Sequence, residues 1–451
     1  MDITYQEALQ KSRETYMART PKSKAAFEEA RQYMAGGECR SIACFDPYPF
    51  TMEYGEGCRI HDLDGNVYID FLNNYTSLIH GHAHPALTKA IAEAVAKGTA
   101  CPAGIPEQVE LAKIITGRME HVDLVRFCNS GTEATMFAVR AARAFMKRDG
   151  VIKMLGGYHG THDVVEFNVS PKIVPGVDLM KPIANEPGVP SASGETVYIA
   201  RYNNLEDVED ILRENAEKIA CILVEPFLGT TGMIPARPGY LQGLRKLADQ
   251  YGVLLIIDEA QGFRLSSGGA QKKFGVRADL CSFGKIIGGG LAVGAFGGRA
   301  DIMKLYDHYN NEFPLQQSGT FNGNRPTMAG GIAAMKLLDE AAFEKLDALG
   351  KRLQDGMEKA IAERDVAMSV TREGSLLNIH FSKEAPYDYE TAYVDKKTPV
   401  AALWYLEMLN GGIFPAHRGL FVISTVMTEA EIDKAIEVFA HALDTIKPYL
   451  Q

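Results

Sequence analysis

Four points along the chain carry polar residues where a short apolar run ends, and each could do chemistry. Lys285 follows the run 280–283 and precedes Gly288-Gly289-Gly290, with Phe283, Ile286 and Ile287 around it. Charging a lysine in such a segment costs desolvation, so its pKa tends downward. That is the property an imine-forming amine needs. Asp258, in Asp258-Glu259-Ala260-Gln261, ends the run VLLII at 253–257. A carboxylate at the end of a buried strand is costly without a cationic partner. A protonated pyridine nitrogen is one such partner, and magnesium is another. Asn129-Ser130-Gly131-Thr132-Glu133 stands before a helical stretch. There Ser130 and Glu133 can form a capping box, and the free N–H groups make an anion site. A phosphate fits it, although the same pattern also makes a plain capped helix. Gly157-Tyr158-His159-Gly160 sets an aromatic between glycines, where it can stack on a planar ligand or serve as an ordinary loop residue.

An apolar run followed by DEAQ is also what a nucleotide-hydrolysing enzyme shows at its second motif. That class requires a G-x-x-x-x-G-K-[ST] loop, and Ser282-Phe283-Gly284-Lys285-Ile286 has neither the spacing nor the following hydroxyl. His80-Gly81-His82-Ala83-His84 suggests metal binding, but it lacks an acidic or cysteine companion and runs into a helix start. No metal site is expected there. Ser318-Gly319-Thr320-Phe321-Asn322-Gly323-Asn324 offers a second phosphate clasp or a turn.

The elements that must position these residues follow from the hydrophobic pattern. Runs at 124–127, 151–155, 220–224, 253–257 and 280–283 are short, apolar and bounded by polar residues or glycine, with helical stretches such as 133–148 and 205–218 between them. Such alternation implies a mostly parallel sheet covered by helices on both faces, with its chemistry at the carboxyl ends of the strands. Asp64-Gly65 within 59–72 predicts a hairpin, and Pro85 to Val95 a helix closed by Gly98. Towards the C-terminus a helix at 398–410 leads through Gly411-Gly412 into a strand pair near 413–424. A last helix starts at Thr428, capped with Glu431. The expected organisation is α/β: residues 1–75 join a small α+β domain, 76–335 form the large domain, and 336–451 complete the small one.

At 451 residues, 46% hydrophobic and 23% charged, the chain can build its core without disulfide or metal. Its seven cysteines are scattered without a Cys-x-x-Cys pair, which fits reduced thiols in the cytoplasm. The mixed-charge N-terminus does not read as a signal peptide. No apolar run approaches the roughly 20 residues needed to cross a bilayer. A net charge of −10 disfavours nucleic acid and anionic membranes, so the expected partner is a small molecule.

The order of DLDGNVYIDF, HGHAHP, RFCNSGTEA, GGYHG, VEP, IIDEAQGFRL, FGKIIGGGLAVGAFGGR and SGTFNGN resembles the class III aminotransferases of pyridoxal-5′-phosphate (PLP) fold type I. The likeness is to the glutamate-1-semialdehyde aminomutase-like branch and extends over nearly the whole chain. It implies that Lys285 is the Schiff-base lysine and Asp258 the partner of the pyridine nitrogen. Tyr158 would stack on the ring, Gln261 would touch its hydroxyl, and Ser130, Gly131 and Thr132 would hold the phosphate. Glu225 would lie near the cofactor. Thr320 would reach the phosphate of a neighbouring subunit, which makes a homodimer the working unit. One stretch departs from the aminomutases, where the glycine bend is followed by Asn-Ser-Pro-Val-Arg. Here the bend reads Gly36-Gly37-Glu38-Cys39-Arg40-Ser41-Ile42-Ala43, and the arginine comes four places earlier. This is similar to the β-amino-acid (β-phenylalanine type) aminotransferases, which carry a second arginine in a segment matched here by Pro415-Ala416-His417-Arg418-Gly419. Arg40 and Arg418 are thus candidates for a substrate carboxylate, which guanidinium pairs bidentately. The resemblance implies transamination from an amino acid, a β-amino acid among the candidates, to a 2-oxo acid by a ping-pong mechanism. An aminomutase or an amino-acid racemase is the alternative.

Overall fold

The computed structural model describes residues 4–393 and 400–450. One unit comprises Pro85–Glu344 and Pro386–Tyr393, the other Met1–His84, Lys345–Ala385 and Val394–Gln451.

The first unit is built on a seven-stranded sheet. From one edge its strands are Leu124–Cys128, Gly294–Gly298, Leu280–Gly284, Leu254–Asp258, Ile219–Val224, Gly150–Met154 and Val197–Ala200. Gly294–Gly298 runs antiparallel to both neighbours, and the other pairings are parallel, so the sheet is mostly parallel, as the alternation predicts. Every residue of Leu254–Asp258 is buried, which is why that strand reads as a continuous apolar run. The helix Gly131–Met146 buries Ala134, Phe137, Ala138, Ala141 and Ala142. That i, i+3, i+4, i+7 stripe packs with Ile256, Leu280 and Phe296 in one cluster. Register then fixes the site: Asp258 pairs with Ser282, and Ile257 pairs with Val224, so Glu225 emerges beside Asp258.

In the second unit, Arg59–Asp62 and Val67–Asp70 form the hairpin expected at Asp64-Gly65, with Gly65 at φ +86°. Met52–Glu56 extends that sheet on one side and Ile413–Phe414 on the other. The strand pair expected near 413–424 does not form. Leu420–Val422 joins Leu376–His380 in a separate three-stranded sheet. The five residues Pro415–Gly419 reverse the chain, with Gly419 at φ +93°, and hand it from one sheet to the other. The helix Val400–Asn410 is present, and the expected start at 398 lies outside the described residues. Thr428 and Glu431 form the capping box of Glu429–Ile446. Among the described residues, no helix is long and apolar enough to cross a membrane.

Candidate active site

Asp258 is 5% exposed and fully engaged. Its Oδ1 accepts from Ser282 Oγ at 2.8 Å and from the Ala260 N–H at 3.1 Å. Its Oδ2 accepts from His159 Nδ1 at 3.0 Å. Burial alone would raise this carboxyl. The bond from His159, the charge of Lys285 and the Ala260 N–H oppose it, and the net direction is downward. Asp258 is therefore ionised at neutral pH. Burial pushes His159 down despite Asp258, so the imidazole is neutral and Nδ1 carries the proton it donates. Its Nε2 is buried without a hydrogen-bond partner.

Lys285 opens the turn Lys285–Gly288 directly after its strand. Its φ is +53°, a left-handed conformation that a non-glycine residue holds only where its surroundings impose it. Its charge acts on both Asp258 and Glu225, so the three side chains share one region. Glu225 is 4% exposed, and burial pushes it up to about 8. Its Oε2 accepts from the Tyr158 N–H at 2.9 Å and Oε1 from the Gly229 N–H at 3.3 Å. Gln261 packs over Gly229 so closely that a Cβ there would stand 2.3 Å from its Nε2.

Ser130 caps its helix by accepting from the Glu133 N–H at 3.1 Å. The return contact differs from a standard box, because the Glu133 carboxylate takes the Asn129 N–H at 2.7 Å. Gly131 and Thr132 occupy the first turn, where N–H groups have no acceptor within the helix. The Tyr158 loop lies against this turn. Gly160, at φ +92°, would place a Cβ 2.5 Å from Thr132 Oγ1, and the Thr161 N–H donates to that oxygen at 3.2 Å. Thr320 is exposed on a loop tied to the same strand end by Asn129 Nδ2 donating to Asn322 Oδ1 at 2.7 Å.

This part of the first unit thus gathers Ser130, Gly131, Thr132, Tyr158, Glu225, Asp258, Gln261 and Lys285. An ionised carboxylate, a strained lysine and an anion-binding helix start can together receive a flat cationic ring bearing a phosphate. His159 and Ser282 are the additions: both fix Asp258, and neither had a role from the sequence. His159 stood inside a noted motif, whereas Ser282 becomes visible only through strand register.

Arg40 and Arg418 belong to the second unit. Arg40 Nη1 donates to Asn74 Oδ1 at 2.6 Å, and its guanidinium stands 5.3 Å from the centroid of the Tyr75 ring. Burial raises the Tyr75 hydroxyl, opposed first by the charge of Arg418 and then by that of Arg40. The positive charges of both arginines thus act on one phenol, and Arg40 is in contact with its ring. The three histidines of 80–84 include two with local partners: His82 Nε2 meets Asp70 Oδ2 at 2.7 Å and His80 Nδ1 meets Thr425 Oγ1 at 2.8 Å.

The family model for class-III aminotransferases matches residues 44–443. The chain is 37% identical to a glutamate-1-semialdehyde 2,1-aminomutase of Anaeromyxobacter sp. (strain Fw109-5), over 93% of this chain and 97% of that one. Its fold matches an omega-transaminase from Sphaerobacter thermophilus with a TM-score of 0.91 and 36% identity, over 94% and 98% of the two chains. A β-phenylalanine aminotransferase from Variovorax paradoxus matches with a TM-score of 0.88 and 33% identity, over 99% of each. A family match over that span, carried by likeness along nearly all of the chain, makes the conclusion direct: the protein belongs to the class-III aminotransferases, enzymes of fold type I that work with pyridoxal phosphate.

Proposed function

We propose that this enzyme is a transaminase, taking the amino group of a carboxylated amine, with β-amino acids the first class to test, and passing it to a 2-oxo acid by a ping-pong cycle. The observation that carries this reading is Arg40 set over the Tyr75 ring, whose hydroxyl also feels the charge of Arg418. Two guanidiniums suit a cycle in which two different carboxylated substrates bind in turn.

Bound pyridoxal phosphate supplies an electrophilic carbon and an electron-accepting ring. The chain's own residues do the rest. Lys285 would hold the cofactor, and its Nζ would move a proton at the substrate carbon. Asp258, held ionised by His159 and Ser282, would pair with the ring nitrogen. The N–H groups of Gly131 and Thr132, with the Ser130 hydroxyl, would hold the phosphate. Tyr158 and Gln261 would hold the ring and its hydroxyl, and Glu225 holds the Tyr158 backbone. Arg40 and Arg418 bind the substrate carboxylate. The working unit is a cytoplasmic homodimer, in which Thr320 on its exposed loop reaches the phosphate of the neighbouring subunit.

Aminomutase chemistry is the second reading, favoured by the name of the Anaeromyxobacter relative. One incubation separates them. With the PLP-loaded enzyme and an amino acid, a transaminase gives sustained product only when a 2-oxo acid is added. An aminomutase or a racemase gives product without it. Failure of every α-, β- and ω-amino acid to shift the cofactor absorbance would sink transamination.

A further inference from the structure

Lys153 has no solvent exposure, although lysine is among the residues least often buried. It stands in the strand Gly150–Met154, and its Nζ donates to the carbonyl of Gly157 at 3.0 Å and to that of Phe167. On the other side of the same loop, the Tyr158 N–H donates to Glu225 Oε2 at 2.9 Å. The carbonyl of Gly157 and the N–H of Tyr158 are the two ends of one planar peptide unit. The buried Lys153 amine therefore grips that unit by its oxygen, and the buried Glu225 carboxyl grips it by its nitrogen. The peptide dipole points its negative end at the donor and its positive end at the acceptor, so both contacts favour one orientation.

A buried charge persists only where its hydrogen bonds and its counter-charge compensate the lost water. Burial pushes Lys153 down to about 7, while Glu225 and Glu166 pull it back. What this arrangement holds still is the start of the segment that carries Tyr158 and His159. His159 is fixed at its other end, since its carbonyl accepts from Thr135 Oγ1 at 2.6 Å and its ring donates to Asp258.

We propose that Lys153 is a positioning residue for the cofactor site: with Glu225 it clamps the Gly157–Tyr158 peptide and so sets the Tyr158 ring and the His159 imidazole in place. This rests on the reading above that Tyr158 covers the cofactor and His159 holds Asp258. Because the clamp holds one peptide unit at both ends, the loss of either half loosens the same segment.

The test uses the PLP-loaded enzyme and follows the pH midpoint of the cofactor's visible absorption band, its circular dichroism and the steady-state rates. Lys153→Met keeps the stem and removes the charge and its donors. It should move the midpoint by about half a pH unit or more and weaken the dichroism, because the Tyr158 ring and the His159 imidazole lose their placement. Glu225→Gln, whose amide oxygen can still accept from the Tyr158 N–H, should move both less, and the double variant should go little further than Lys153→Met. Lys153→Arg should restore part of the change in dichroism. The kcat of Lys153→Met should fall about tenfold with little change in KM, the pattern of a misplaced catalytic frame. A band that moves in neither single variant, or two shifts that simply add in the double variant, would overturn the clamp. Lower thermal stability with an unmoved midpoint would also overturn it. Should Lys153→Met not fold, Glu225→Gln and Lys153→Arg decide the matter: dichroism and midpoint unmoved in both would overturn the clamp. A visible band that survives Lys285→Ala would instead bring down the cofactor-site reading, and the clamp with it.

Discussion

Two of the places where this protein holds non-glycine residues in the left-handed conformation do so differently. Directly after the strand Leu280–Gly284 one isolated residue is strained: Lys285, at φ +53°. Its place follows from the regular strand before it and the glycines after it. In the other unit four consecutive residues, Asn73, Asn74, Tyr75 and Thr76, have φ between +47° and +77°. Left-handed backbone costs on the order of 1 kcal/mol or more for a β-branched residue such as Thr76. Local bonds sustain the turn. Asp70 Oδ1 takes the Leu72 and Asn73 N–H groups at 2.8 Å, His82 fixes Oδ2, and Asn73 Nδ2 donates to the Val422 carbonyl at 2.7 Å. The outcome is that Asn74 and Tyr75 are presented to Arg40. On the function proposed above, the difference amounts to a division of labour: reaction chemistry on regular elements, and substrate selection on a turn forced into shape by its surroundings.

The sharpest way to break that division is at its chemical end. Lys285→Ala should lower turnover by about a thousandfold or more, since both the anchor and the proton carrier are lost. Circular dichroism and thermal melting should show a folded protein. Substantial turnover in this variant would dissolve the assignment of chemistry to the strand ends.

The selective end is probed with Arg418→Ala. A charge-assisted bond to a carboxylate is worth about 1.5–3 kcal/mol, so KM for carboxylated amines should rise about 10- to 100-fold. KM for amines without a carboxylate should hardly change. Equal effects on both would remove Arg418 from the carboxylate role and leave the turn without one of its two arginines.

A smaller effect separates the regions by pH. Burial pushes His162, beside the strand-end loop, down to about 4, helped by the neighbouring His159 and by the positive charges of Arg143, Lys153 and Arg140. Unfolded, the same imidazole titrates near 6.5. Between those values the unfolded chain holds the extra proton, so folding stability falls as the pH drops from about 6.5 towards 4. His162→Gln should recover up to about 3 kcal/mol of that loss by pH 4, read as a flatter plot of melting temperature against pH. A parallel plot would show that His162 is not the group responsible.

How far each region was legible in the sequence follows the same line. Lys285, Asp258 and the Ser130-Gly131-Thr132 helix start were legible because apolar runs, glycines and caps are local patterns. His159 was in view beside Tyr158, but its bond to Asp258 spans two strands that the chain does not join directly. Ser282 needed the register of Leu254–Asp258 against Leu280–Gly284. Lys153 passed unremarked inside the run 151–155, because burial on both faces leaves no mark on one residue. The left-handed turn was hidden almost entirely. Asn73-Asn74 tolerates such a backbone, but Tyr75 and Thr76 do not suggest it. What imposes it is Asp70, His82 and Val422, the last of them 349 residues from Asn73 in sequence.

The smallest expected effect is the most telling about the turn itself. Asn74 is exposed, and its side chain connects to Arg40 and to Ser77 Oγ at 3.1 Å. Asn74→Gly keeps the left-handed backbone available without strain while deleting the acceptor that holds Arg40. Relief of strain and greater freedom of the unfolded chain oppose one another, so stability should stay within about 0.5 kcal/mol of the parent. Losing one charge-assisted bond at an exposed guanidinium should still raise KM for carboxylated amines severalfold, on the order of 1 kcal/mol. KM for uncharged amines and kcat should be unmoved. A fall in kcat with unchanged KM would mean that the turn serves the chemistry after all, and the division between the two regions would not hold.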